Sequence, residues 1–166
     1  MELLGVKLEL PVNMPVLLLR EQTSDRRVLP IYIAQPEAQS IQWAIEGKEP
    51  PRPMTHDLMR DLLNALSARV VRVVITELRE SDGGGGTFFA EIEIDAAGRE
   101  LKVSSRPSDA VALAVRVGAP IFADEAVLSA AAAPAVEDEE DAEEQEEIVD
   151  QFREFLDEVN PEDFAS

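Results

Sequence analysis

A chain of 166 residues with 45% hydrophobic content is long enough to bury one core of ordinary size. It contains no cysteine and a single histidine, which excludes disulfides, iron–sulfur ligation and zinc sites built from thiolates or clustered imidazoles, so a catalytic metal must be held by oxygen. The formal net charge of −19 argues against a polyanionic partner only where the charges sit.

In chain order, the opening "MELLGVKLELPVNMPVLLLR" lacks the basic start and unbroken apolar run of a signal peptide. No stretch reaches membrane-spanning length, so a cytoplasmic protein with no membrane association is expected. "GVKLEL" alternates, "VLLLR" is a short apolar run after Pro15, and "VLPIYIA" points Leu29, Ile31 and Ile33 one way; these are three strands. "EAQSIQWAIEG" follows as a helix with Ala38, Ile41 and Ile45 on one face and Gly47 at its C-terminal cap. After the connector "KEPPRP", Thr55 is the expected N-cap of a helix whose Leu58, Leu62 and Leu66 form an apolar stripe. "VVRVVITELRE" reads as a long strand, "GGGG" as a hairpin loop, and "TFFAEIEIDAAGRELKVS" as two more strands, with Phe88, Ala90, Ile92 and Ile94 on one side. "RPSDAVALAVRVG" is apolar nearly all round from Ala110 to Val117 and stops at Gly118, as a buried helix should. The class is α+β: two three-stranded, mostly antiparallel units, each followed by helix, in a single domain over residues 1–130 with an acidic tail.

The negative charge is concentrated in that tail. Residues 124–166 hold 17 of the 34 acids and one of the 15 basic residues, Arg153, which leaves the globular part close to neutral. Residues 131–147 read as an acidic, disordered linker. Residues 148–160 place Ile148, Phe152, Phe155, Leu156 and Val159 at helical spacing, a short amphipathic helix that can dock on its own domain, on a neighbouring copy or on a protein partner.

Two helix starts repeat one another: "RPMTHD" and "RPSD" each combine Arg, Pro, a hydroxyl and an acid. First-turn N–H groups lack intrahelical partners and the helix dipole is positive there, so these side chains either cap their helices or, with Arg52 and Arg106 supplying paired donors, hold a phosphate. By contrast, "GGGG" lacks the Lys-Ser/Thr of a phosphate loop.

The stretches "LPIYIAQPEAQSIQWAIEGKEPPRPMTHDL", "RVVITELRE" and "SRPSDAVALAVRVGAPIF" together resemble the bifunctional nuclease domain family over about Leu4 to Leu128. That resemblance implies degradation of both RNA and DNA. Some members append a helical module of the kind found in nucleotide-excision repair proteins, and the present tail is shorter than that module. With hydrolysis as the premise, the expected catalytic residues are His56, Asp57 and Asp109, with His56 as general base or acid. Arg52, Thr55, Arg106 and Ser108 are the expected phosphate-binding groups. Mg²⁺ or Mn²⁺ held by Asp57, Asp109 and Glu37 is the metal such carboxylates would take, with no zinc and no organic cofactor. The mild negative charge of the globular part favours a second reading, a non-enzymatic regulatory or assembly protein whose motif residues cap helices and line a subunit interface. A homo-oligomer is expected under either.

Overall fold

The structure, a computed structural model, describes residues 1–9, 13–80 and 86–134. The expected acidic linker, apart from residues 131–134, and the expected helix at 148–160 lie outside the described residues, as does most of the "GGGG" loop.

Three antiparallel strands open the chain, β1 (Glu2–Glu9), β2 (Met14–Arg20) and β3 (Val28–Tyr32), in the order β1-β2-β3. Leu29, Ile31 and Ile33 are buried as their alternation requires. Two helices follow, α1 (Gln35–Ile45) and α2 (Thr55–Ala65), and then the long hairpin of β4 (Ala68–Glu80) and β5 (Gly86–Ala96), with β6 (Arg99–Ser105) beside β5. Ala97 and Gly98 both have positive φ, 54° and 79°, the geometry of the two-residue turn that suits the twist of paired strands. Helix α3 (Pro107–Val117) ends at Gly118 in the left-handed region, φ 67°, where glycine carries no Cβ penalty.

The second sheet departs from the expected meander. After α3 the chain adds β7 (Ile121–Ala123), parallel to β4 along Val73–Ile75, so the sheet has four strands in the order β6-β5-β4-β7. A short helix α4 (Glu125–Ala131) comes next, and Val28 and Ala133 exchange backbone hydrogen bonds of 2.8 and 2.9 Å. The compact unit comprises Met1–Pro134. Three residues are too few for a periodicity to show; only pairing with β4 makes them a strand.

Helix α3 is the centre of the domain. It packs against α1, α2, β4 and β5, and Ala110, Val111, Ala112, Leu113 and Ala114 are all fully buried, the small side chains allowing close approach from several sides. In α1, Ala38 and Ile41 are buried but Ile45 is exposed. A larger difference concerns α2, whose Leu58, Leu62 and Leu66 are 52, 53 and 74% exposed. Its inward face carries His56 and Asp57, buried, with Met59 and Leu63 partly buried below them. The helix has two stripes at helical spacing, and the one with the polar residues at its head is the one that meets α3.

Candidate active site

The starts of α2 and α3 meet inside one domain. Met54 precedes α2 in extended conformation, φ −84° and ψ −178°, which makes it, and not Thr55, the residue that caps the helix. Thr55 is the exposed first residue of the helix. The orphan Met54 N–H donates to Asp57 Oδ2 at 3.0 Å, so the acid three residues on supplies the cap that the threonine was expected to give.

His56, 6% exposed, points the other way and links three helices. Its Nδ1 lies 2.8 Å from Ser40 Oγ on α1 and its Nε2 lies 3.1 Å from Asp109 Oδ1 on α3. A carboxylate only accepts, so Nε2 carries the proton; in the neutral ring, Nδ1 then accepts from the Ser40 hydroxyl. Arg106 extends the chain outward. Its Nε–H and Nη2–H donate to Asp109 Oδ2 and Oδ1 at 2.7 and 2.9 Å, and its Nη2–H also donates to Glu37 Oε1 at 2.7 Å. The Arg106 side chain as a whole is 63% exposed. Burial works to raise the Asp109 carboxyl, but the hydrogen bonds from Arg106 and His56 outweigh it and hold its pKa below the usual aspartate value. Arg106, bound to Asp109 and Glu37, is correspondingly harder to deprotonate.

Asp57 belongs to a second, deeper pair. Arg116 Nε–H donates to Asp57 Oδ1 at 2.6 Å, while its Nη1 and Nη2 donate to the carbonyls of Ala112 and Ser40 at 2.9 and 3.1 Å. Both side chains are nearly inaccessible, 6% for Arg116 and 10% for Asp57. Desolvation pushes the Asp57 carboxyl up, and the bonds from Arg116 and the Met54 N–H bring it below its ordinary value.

Of the expected site residues, the structure thus joins His56, Asp109, Arg106 and Glu37 in one hydrogen-bonded chain. Asp57 stands beside it, facing Arg116. Ser108 is buried in the first turn of α3, and Arg52 is exposed on the α1–α2 connection, where among the described residues it makes no side-chain hydrogen bond. Two residues of this hydrogen-bonded network escaped sequence reasoning. Ser40 gave no signal beyond being polar on the Ile41 side of α1. Arg116 did give one: a lone cation in a helix that is otherwise apolar all round needs a buried acid to pair with.

The three carboxylates expected to bind metal do not gather. Among the described residues no group of three His, Cys, Asp or Glu is placed to hold an ion, because Asp57 is committed to Arg116. One atom of the expected set has no partner: Glu37 Oε2 is buried and accepts no hydrogen bond among the described residues. The other two carboxylates, Glu37 and Asp109, are both occupied by Arg106.

A small α+β domain, with an arginine–carboxylate–histidine chain where two helix N-termini converge, is the class of protein the fold and site define. The chain belongs to the bifunctional nuclease domain family, whose domain matches residues 17–136. It is also 49% identical over 166 residues to two uncharacterised proteins of Mycobacterium tuberculosis, one from strain H37Rv and one from strain CDC 1551. Each match covers 98% of this chain and 95% of the relative. No helix among the described residues is long and apolar enough to cross a membrane.

Proposed function

We propose that the protein hydrolyses phosphodiester bonds of RNA and DNA at the Glu37–Arg106–Asp109–His56–Ser40 chain. The observation that carries this reading is the exposed Arg106 fork lying on two carboxylates, in a domain of this family. In the resting arrangement His56 Nε2 is covered by Asp109, and Arg106 covers Asp109 in turn. A phosphodiester offers the guanidinium a competing anion of matching bidentate geometry. As Arg106 turns to it, an Asp109 oxygen is freed to accept a hydrogen bond from the attacking water. The water oxygen bonds to phosphorus, its proton passes to Asp109, the ester P–O bond breaks, and the leaving oxygen takes up a proton from Asp109 or solvent. Arg106 neutralises the charge that builds on the phosphoryl oxygens. His56 is then a positioning residue whose Nε2–H fixes Asp109 and whose ring is fixed by Ser40, and Arg52 with the first-turn N–H groups at Thr55 and Ser108 are the groups proposed to meet flanking phosphates. Mg²⁺ or Mn²⁺ is the proposed activating ion, with Glu37 and Asp109 as its protein ligands, and when bound it would add positive charge near phosphorus. The test is cleavage of defined single- and double-stranded RNA and DNA by purified protein, with and without EDTA. Activity that disappears in Asp109→Asn and Arg106→Ala supports the reading. Activity that co-purifies unchanged with both variants belongs to a contaminant, and a wild type inert towards every substrate sinks the proposal.

A second reading, assembly through a subunit interface, is favoured by one observation: the exposed Leu58, Leu62 and Leu66 stripe on α2. A run of leucines this open to water is the kind of patch that a second copy of the chain covers. Leu62→Glu should convert an oligomer to a monomer in light scattering, and a wild type that is already monomeric at high concentration removes this support.

A further inference from the structure

The flank of α2 turned away from the His56 chain borders a groove that the proposed chemistry leaves unused. One part, a depression of about 340 Å³, has Trp43, Lys48, Asp57, Arg60 and Arg116 in its walls. A second, of about 490 Å³, shares Arg60 and Arg116 with the first and continues to Asn64, Ser67 and Arg69. The two adjoin across Arg60.

The charge here runs against the rest of the molecule. Lys48, Arg60, Arg69 and Arg116 face only Glu49 and Asp57 among the acids of the walls, in a chain with 15 basic and 34 acidic residues. Arg116 is committed to Asp57. The other three have carboxylates nearby, Lys48 with Glu46, Arg60 with Asp61 at 2.9 Å and Arg69 with Asp95 at 4.0 Å. These are solvent-edge pairs of adjacent or distant side chains, the kind that contributes little and yields to a competing anion. Trp43, the chain's single tryptophan, is partly buried in α1 with part of its surface in the first depression. An anchored indole beside solvent-accessible cations is the combination that binds an unstacked base together with its phosphates.

We propose that this groove is a track for single-stranded nucleic acid, with one base stacked on Trp43 and flanking phosphates on Lys48, Arg60 and Arg69. The polymer's identity rests on the nuclease reading, but the binding requires no cleavage. A duplex keeps its bases stacked on one another, so it cannot present one to the indole. The floor of the track connects to the candidate active site through two hydrogen bonds: Arg116 Nη2–H donates to the Ser40 carbonyl at 3.1 Å, and Ser40 Oγ lies 2.8 Å from His56 Nδ1.

Because the chain has one tryptophan, its fluorescence reports this site alone. Full-length protein in EDTA, titrated with a short oligo(dT) or oligo(U), should show saturable quenching, with less from a duplex of equal length. Three phosphate contacts imply that log K falls against log salt with a slope of about −2. Trp43→Leu should weaken binding of a labelled oligonucleotide by roughly 5-fold or more in anisotropy. Arg60→Ala and Arg69→Ala, both at accessible positions that leave the fold intact, should each reduce the slope by about 0.7. Binding seen in anisotropy without quenching, or with unchanged slopes in the arginine variants, overturns the track. Inorganic phosphate quenching as strongly as the oligomer reduces it to an anion site and overturns it too. Quenching without cleavage when Mg²⁺ or Mn²⁺ is restored leaves the track standing and sinks the hydrolysis; cleavage accompanied by oligonucleotide binding that is indifferent to Trp43→Leu, Arg60→Ala and Arg69→Ala does the reverse.

Discussion

At the start of α2 the acid in the third helical position, Asp57, turns inward to Arg116; at the start of α3 its counterpart, Asp109, turns outward to Arg106 and sideways to His56. The helices exchange partners, since Arg116 sits on α3 and His56 on α2. Nearly the same residues thus make one pair sealed in protein and one pair open to water. The sealed pair fixes how α2 lies on α3. In the open pair, the proposed function requires only that the guanidinium exchange a carboxylate for a substrate phosphate, which solvent exposure makes a small cost. Position relative to solvent, and not residue type, separates structure from chemistry here.

The largest effect should come from breaking the sealed pair. Arg116→Met keeps the apolar stem but leaves Asp57 buried without a cation, and the loss of one partner from a buried pair costs about 3–5 kcal/mol. Arg106→Met, in the open pair, should cost less, about 1–2 kcal/mol because it leaves the part-buried Glu37 and Asp109 without their cation, and yet abolish the proposed phosphodiester cleavage. Urea denaturation of both variants checks this, and equal costs would erase the distinction between the two helix starts.

His56→Ala sharpens the comparison from between the pairs. The ring is buried and bonded at both nitrogens, so its removal strips partners from Ser40 and Asp109 and should cost about 1–3 kcal/mol. Activity should fall on the order of 100-fold, the scale expected when a group that positions the proton acceptor Asp109 is lost. Side chains near a helix start often face solvent, but α1 and α3 close over His56.

Most of the architecture was legible because burial leaves a period in the sequence. Leu29, Ile31 and Ile33, the Ala90 and Ile92 face of β5, and the apolar girth of α3 all declared themselves. The α2 stripe misled for the same reason: three leucines four residues apart look like the packed face of a helix, whereas the face that packs is headed by His56 and Asp57. Periodicity finds apolar stripes but does not say what they cover. The site was half legible. His56, Arg106, Asp109 and Glu37 stood out by residue type, while Ser40 entered only through the tertiary contact of α1 with α2.

Acid should separate the two aspartates next. Both carboxyls titrate below the ordinary aspartate value in the folded protein. As pH falls the unfolded chain takes up protons first, so the stability they contribute is whole above about pH 5 and is lost as pH drops through their folded values. Asp57→Asn should flatten the acid limb of the stability curve more than Asp109→Asn does, because solvent screens the Arg106 pair. Urea midpoints measured between neutral pH and about pH 3 test this ordering, and a larger flattening in Asp109→Asn would reverse the assignment of the structural and exchangeable pairs.

The smallest effect should be at Thr55. A helix-capping threonine replaced by alanine costs about 1 kcal/mol, and the sequence places Thr55 where such a cap belongs. The geometry removes the reason for that cost. Met54 holds the extended capping conformation, its N–H is taken by Asp57 Oδ2 at 3.0 Å, and Thr55 is an exposed first-turn residue with no side-chain cap bond. Alanine is also the better helix former at such a position. Thr55→Ala should therefore stay within about 0.5 kcal/mol of wild type, while Asp57→Asn, which weakens both the cap and the Arg116 pair, should fall well outside that range. If Thr55→Ala instead costs a full cap, the helix begins one residue later in solution, and Asp57 serves Arg116 alone.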